Sequence, residues 1–495
     1  MLRFGTKAWR AVWWLAPSLL CLLIHYRGLL AWFQADDFAW LGQWQRIKDG
    51  SSIWRELFSP TVHGTLRPLS ERAFFLILSY WFPDDALPFR IVVFATQFAN
   101  VALLAWLARR LTASKAIGFW AALLWAVNPN LDTVMNWSSA YMQALCGLCL
   151  LGGFHLYLNW VETGRKVWYW LQWLVFLTGF LVLETMVVYP ALLAAHAFFA
   201  DRKRLKALIP MFAASAAYTA FHMWYAPKQA QGVYSLHFDG WMLVTLLRYV
   251  RVAVSPLRVG WHQLRNWPVN FPYAGILVAA LLAAAWWAWR KKEWRAAVFA
   301  AWFLFPLAPV LPLREHVTPY YLTLPLIGLS MFGAWALVEA WRASAAWRWT
   351  ASLLVMAFIT SGVRDAMARS RWFYDNSVSC REIIQCASAA RRAFPTKIIL
   401  LTGLSDDLFW RVFVDFGFRA FGIQEVYPAP DVQTIAVRRP DYPHIDQFFL
   451  DPQALETAVE KRLAVVLEHR PGSCRNITTR YLQLWELDRE SHRRK

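Results

Sequence analysis

Apolar stretches of bilayer length recur along the first 363 residues, each set off from the next by a short polar or basic segment. Eleven crossings are expected, near 11–33, 88–108, 116–128, 138–159, 167–183, 185–200, 206–226, 272–290, 295–311, 320–341 and 348–363. With that number, the clusters Arg3/Lys7/Arg10, Arg109/Arg110/Lys115, Arg165/Lys166, Arg202/Lys203/Arg204/Lys206, Arg290/Lys291/Lys292/Arg295 and Arg342/Arg348 all share the face of the N-terminus, which places it in the cytoplasm. The fifth and sixth stretches are short for a hydrocarbon core of ~30 Å. They count separately because the clusters flanking them would otherwise fall on opposite faces. A signal peptide is the alternative for the first stretch, but a clear small-residue cleavage site before Gln34 is lacking, which favours a retained helix.

Two further apolar stretches, 69–82 and 241–257, would break the charge pattern if they crossed, so they are expected to lie as helices at the outer interface. Arg248 and Arg251 inside the second suit a partly submerged amphipathic helix. Beyond residue 364 charged residues become frequent and strand-like runs appear at Lys397–Leu401 and Thr434–Val437. The chain therefore divides into a membrane domain, 1–363, whose first outer loop is 34–87, and a small extracytoplasmic α/β domain, 364–495. Asp406 and Asp407 follow Ser405 ahead of an apolar run and read as the first turn of a helix.

Composition agrees with this class: 58% of the residues are hydrophobic, 32 are tryptophan, and tryptophans crowd the ends of the apolar stretches. The net charge of +19 is accounted for by basic loops on one side and attraction to anionic lipid, and calls for no nucleic acid. Cys146-Gly-Leu-Cys149 has a redox spacing but sits in an apolar helix, where packing explains it. In an oxidising compartment Cys474 can pair with Cys380 or with Cys386. Asn136-Trp-Ser and Asn476-Ile-Thr fit the N-glycosylation acceptor pattern. Phosphate loops, zinc-protease helices, nucleophile elbows and fixed-period repeats are not found.

The polar residues of interest fall on the outer face. The first outer loop carries Asp36, Asp37, His63 and Arg67, the second Asp132 and Asn136, the fifth helix ends at Glu184, and Arg314, Glu315, His316, Tyr320 and Tyr321 precede the tenth. Transfer of a sugar from a lipid phosphate needs a carboxylate to accept the proton of the attacking hydroxyl, and cationic donors for the departing phosphate. Asp36 and Asp37 are the candidate bases, with Arg67, Arg314, His316 and Tyr320 for the lipid phosphate and His63, Asp132 and Glu184 for the acceptor or in support. Bland roles compete with these. Asp37 can cap a helix over 38–48, Arg67 and Arg314 can reach headgroups, and Tyr320 and Tyr321 can be interfacial belt residues. Asp36 and Asp37 also have the hard oxygens that suit Mg²⁺ or Mn²⁺, although the chemistry requires no cofactor.

Several short motifs, taken in order, resemble the membrane-integral GT-C glycosyltransferases, and within them the transmembrane O-mannosyltransferases that carry tetratricopeptide repeats. They are Ala35-Asp36-Asp37-Phe38, Leu66-Arg67-Pro68-Leu69, Asn128-Pro129-Asn130-Leu131-Asp132 with Asn136-Trp137-Ser138, Leu183-Glu184-Thr185 with Tyr189-Pro190, and His316 followed by Tyr320 through Gly328. The resemblance implies a polyprenyl-phosphate-linked sugar donor, an acceptor on the extracytoplasmic side, and an acid of the first outer loop, here Asp36 or Asp37, acting as base or metal ligand. It also implies a bacterial inner membrane, with the endoplasmic reticulum as the alternative. The chain departs from the family in having Asn128-Pro129 and Asp132 where His-Pro and Glu are common, Leu183 where Lys precedes the Glu, and no tetratricopeptide repeats. A transporter or lipid translocase, and a catalytically silent scaffold, are the rival readings. Acids confined to outer helix ends, without repeated halves, favour transfer chemistry over transport.

Overall fold

The structure, a computed structural model, describes residues 6–60, 65–226, 232–255, 271–439 and 445–493, with backbone alone at 6–13, 271–272 and 488–493. In chain order the helices begin with α1 (Thr6–Leu29), α2 (Asp37–Leu41), α3 (Gln43–Lys48), α4 (Ile53–Phe58), α5 (Phe74–Trp81), α6 (Leu87–Thr112), α7 (Lys115–Ala126) and α8 (Asp132–Asn136). There follow α9 (Tyr141–Thr163), α10 (Lys166–Gly179), α11 (Tyr189–Ala200), α12 (Leu205–Tyr225), α13 (Trp241–Val254), α14 (Phe271–Arg290), α15 (Trp294–Leu304) and α16 (Leu326–Ala343). The last are α17 (Ala345–Ala393), α18 (Asp406–Val412), α19 (Gly417–Ala420), α20 (Pro430–Ile435), α21 (Pro452–Glu460) and α22 (Thr478–Arg493). Two compact units result. One comprises Met1–Leu29, Phe58–Ala73 and Phe89–Arg371, the other Leu30–Leu57, Phe74–Pro88 and Trp372–Lys495.

The first unit is all helical, and a helix stands at each of the eleven expected stretches. Among the described residues four helical segments, Leu87–Thr112, Ser138–Thr163, Tyr273–Arg290 and Ala345–Ala393, are long and apolar enough to cross a membrane. Shorter apolar helices lie at Lys115–Ala126, Glu184–Ala200 and Trp294–Val310. The expected outer-interface stretches are also helical, as a π-helical turn Pro68–Ala73 leading into α5, and as α13. Close helix approach depends on small residues, as in membrane bundles generally. A Cβ on Gly118 of α7 would stand 2.5 Å from the Ala105 carbonyl of α6, and one on Gly328 of α16 would strike the Phe299 carbonyl of α15. Buried Arg90 of α6 ties α1 to α8: its Nε donates to the Gly28 carbonyl at 2.7 Å, and another guanidinium nitrogen donates to the Met135 carbonyl.

The second unit is built on a four-stranded sheet, β1 (Ile398–Thr402), β2 (Val426–Pro428), β3 (Ala464–Arg470) and β4 (Ser473–Asn476), in the order β2-β1-β3-β4. β1 runs parallel to β2 and β3, and β4 is antiparallel to β3. Ile399, Leu400 and Leu401 of β1 and Ala464 through Leu467 of β3 are buried as continuous runs, as expected of strands covered on both faces. Ser405 caps α18 by accepting from the Leu408 N–H, with Asp406 and Asp407 in its first turn. Cys386 of α17 is bonded to Cys474 of β4, while Cys380 is a buried free thiol, as are Cys146 and Cys149.

Three expectations differ from what forms. The strand expected at Thr434–Val437 is instead the end of α20, because Pro430 sits at a first-turn position where its missing N–H costs nothing, and the second strand is Val426–Pro428. The helix expected over 38–48 is two short helices meeting at Gly42. The apolar stretch ending near 363 continues as one helix to Ala393, since no proline interrupts it before Pro395. The junction of the two units, between Arg371 and Trp372, accordingly lies inside α17.

Candidate functional site

In the second unit the chain enters α2 through a tight turn. Ala35 takes the left-handed conformation, φ +52°, which is strained for a residue with a Cβ. The turn is held from α18, where the Arg411 carbonyl accepts from the Ala35 N–H at 3.0 Å and the Arg411 guanidinium donates to Gln34 Oε1 at 2.6 Å. Asp37 is buried, and its Oδ2 accepts from the Gln34 N–H at 3.1 Å. Asp36 occupies the cap position of α2 but makes no capping bond with its side chain. Its carboxyl instead hydrogen-bonds Asp415, in the turn between α18 and α19, and stands within electrostatic reach of Arg411. Phe38, Trp32 and Phe421 pack against one another beside this turn, with Gly417 close beneath the Phe38 ring.

The chemistry of this cluster follows from its charges. Burial pushes the Asp415 carboxyl well above the ordinary carboxylate range, and the adjacent acids Asp36 and Asp37 push it further. The raised Asp415 carboxyl keeps its proton over a wider range than an ordinary carboxyl and can donate it in a hydrogen bond to Asp36.

In the first unit Arg67 sits at the head of the π-helical turn and is committed to two carboxylates. Its Nε donates to Glu184 at 2.9 Å and its Nη1 to Glu71 at 2.6 Å. Glu184 also faces His222 Nε2 at 3.3 Å, and Thr65 donates to Glu71 at 3.0 Å. The loop is pinned nearby by a Leu69 N–H bond to the Leu181 carbonyl and by Ser70 Oγ donating to the Val182 carbonyl at 2.6 Å. Arg314 is half-exposed, paired with exposed Glu315 at 2.9 Å and packed over the Trp241 ring. His316 packs on Tyr234 and Tyr321, and Tyr320 on Tyr321, whose phenol is within electrostatic reach of Arg67.

Asp132 and Asn136 belong elsewhere in the same unit. Asp132 is fully buried, in an ion pair with Arg369 of α17 and accepting from the Thr133 N–H at 2.7 Å. Buried Asn136 accepts from Ser370 Oγ at 2.7 Å, so it is closed to glycosylation. Asn476 lies exposed at the end of β4. His63 lies outside the described residues.

No pattern in the sequence marks Asp415, Arg411, Gln34, Glu71 or His222 for a functional role on its own. Glu71 could have been found from its i,i+4 spacing to Arg67, and Asp415 as a lone acid in the run Phe413-Val-Asp-Phe-Gly-Phe418. A divalent cation would need several deprotonated ligands converging on one point. Among the described residues no three His, Cys, Asp or Glu side chains are grouped to hold one, at Asp36 and Asp37 or elsewhere.

No family model matches the chain, and no curated protein matches it. Among solved structures it is similar to the crystal structure of the Archaeoglobus fulgidus oligosaccharyltransferase in complex with zinc and sulfate. The TM-score is 0.50 at 12% identity, over 92% of this chain and 67% of that one. At such low identity the likeness is one of fold alone. The apolar helices mark this chain as an integral membrane protein.

Proposed function

We propose that this protein is a glycosyltransferase that moves a sugar from a polyprenyl-phosphate-linked donor to a glycan, lipid or protein acceptor reached from outside the cytoplasm. The observation that carries the reading is the acid pair Asp36–Asp415, presented on a strained turn that Arg411 holds in place. The GT-C fold supports the reaction class. Asp36 accepts the proton of the acceptor hydroxyl as its oxygen bonds to the anomeric carbon. The bond from that carbon to the phosphate oxygen breaks, and its electron pair leaves with the polyprenyl phosphate. Asp415 keeps its own proton beside Asp36, and Asp37 fixes the turn.

For the leaving phosphate, Arg314 with Tyr320 is the better candidate, because its exposed pairing with Glu315 is weak and exchangeable. Arg67 is neutralised by two carboxylates and serves to hold the first outer loop. The eleven helices cross the membrane with the N-terminus cytoplasmic. The Cys386–Cys474 disulfide supports an oxidising, extracytoplasmic setting for the sheet-bearing unit, and a bacterial inner membrane fits both. Within the superfamily the motifs relate the chain to the O-mannosyltransferases without tetratricopeptide repeats.

The test is to reconstitute the full chain in vesicles with radiolabelled polyprenyl-phosphate hexoses and pentoses and a crude envelope acceptor fraction. Release of free polyprenyl phosphate matched by label in the acceptor is expected for one donor class. Movement of intact donor across the bilayer with no bond cleaved would replace this reading with a translocase.

A further inference from the structure

The first unit holds an apolar cleft of about 410 Å³ between α14, α16 and α17, closed on the inside by Leu124 of α7. Its walls are mostly Leu, Ala, Val, Phe and Trp side chains, with Asn128, Ser330, Glu339 and Thr350 the polar exceptions and Gly333 of α16 at the floor. Along α14 the lining runs from Leu277 to Trp287 and along α17 from Trp347 to Phe358, each about 15 Å at 1.5 Å per residue, and along α16 from Leu326 to Ala343, about 25 Å. The two shorter walls span half of a ~30 Å hydrocarbon core, the depth of one leaflet, and α16 continues beyond them.

One end of the cleft is unlike the rest. There the C-termini of α14 and α16 meet the N-termini of α15 and α17, and Lys291 is bonded to Glu339 at 2.8 Å across the gap between them. The segments 290–295 and 339–348 place six cationic side chains, Arg290, Lys291, Lys292, Arg295, Arg342 and Arg348, against the two carboxylates Glu293 and Glu339. Those carboxylates are taken by Arg295, Lys291 and Arg342, which leaves Arg290, Lys292 and Arg348 in excess. Arg290 lies 4.4 Å over the Trp286 ring and Arg348 5.6 Å over that of Trp341, while Trp286, Trp287 and Trp347 line the cleft just inside. A one-leaflet apolar slot under aromatic rings and surplus cations has the chemistry of a phospholipid: chain below, phosphate above.

We propose that the cleft between α14, α16 and α17 binds an anionic glycerophospholipid, its acyl chain in the slot and its headgroup phosphate at Arg290, Lys292 and Arg348. It is a structural lipid of the basic face, separate from the sugar donor. Filling it packs α14, of which only 6% of the most apolar window is buried within the protein.

The full chain is purified from nanodiscs containing equal phosphatidylglycerol and phosphatidylcholine, and retained lipid is measured by native mass spectrometry. Phosphatidylglycerol should be retained over phosphatidylcholine by about tenfold or more, and R290Q/K292Q/R348Q should bring the ratio near one. Those substitutions leave the Lys291–Glu339–Arg342 contacts intact. A second variant, Gly333→Leu, fills the floor without touching charge, since a Cβ there meets only Leu124 Cδ1 at 3.5 Å, an ordinary contact. It should abolish retention of both lipids while the protein stays monodisperse. Equal retention of the two lipids by wild type, or a ratio unchanged in the triple variant, overturns the assignment. Displacement of the phosphatidylglycerol by added polyprenyl phosphate also overturns it, and gives the cleft to the donor.

Discussion

Replacing Asp415 by asparagine tests the acid pair without removing a hydrogen bond, because the amide can still donate to Asp36. In the wild type the folded Asp415 carboxyl is raised by burial first and then by Asp36 and Asp37, so the native state holds a proton that the unfolded chain gives up. A raised carboxyl stabilises the fold fully below its unfolded value near 3.9, and that contribution is lost as pH climbs through the folded value. Stability should therefore fall from about pH 4 upward across the window of the raised group. Burial drives the shift, and repulsion from the neighbouring acids adds to it: like charges about 4 Å apart cost up to ~4 kcal/mol at an effective dielectric of ~20. Thermal unfolding of the intact protein in nanodiscs, followed at pH 5 and pH 8, should show a lower midpoint at pH 8 for wild type and a smaller difference for Asp415→Asn. An equal pH dependence in both proteins would refute the pair.

Other consequences are separable. Asp132→Ala strands the partly buried Arg369 and should cost about 3 kcal/mol of stability, whereas replacing both residues with apolar ones should cost much less, as thermal unfolding would show. Reducing Cys386–Cys474, which closes a loop with a sequence separation of 88, should remove about 4.5 kcal/mol and expose the sheet-bearing unit to protease. Arg67→Ala should lower the unfolding temperature by leaving Glu71 and Glu184 unpaired, while Arg314→Ala should raise the KM for the donor with little change in stability.

The helical stretches were legible because a bilayer demands apolar runs of a set length, and each such run became a helix. Elements outside the apolar runs were less so. Composition changes near residue 364, yet backbone continuity depends on breakers, and α17 meets none before Pro395. Asp36 was visible as a charge beside an apolar stretch, but its partner Asp415 comes from the far end of the chain and no local pattern links them. Arg67 read equally well as a phosphate ligand or a loop anchor, and only the carboxylates of Glu71 and Glu184 on its two faces distinguish these. Cys474 had two candidate partners six residues apart, and the docking of β4 selects Cys386.

The most direct measurement is single-turnover transfer by Asp36→Asn beside Asp37→Asn, with both proteins first shown to unfold at the wild-type temperature. Loss of the base should slow bond formation by about 10²–10⁴-fold in the first without weakening donor binding, and the second should retain more of the rate. Transfer by Asp36→Asn at the wild-type rate would contradict a base at this position.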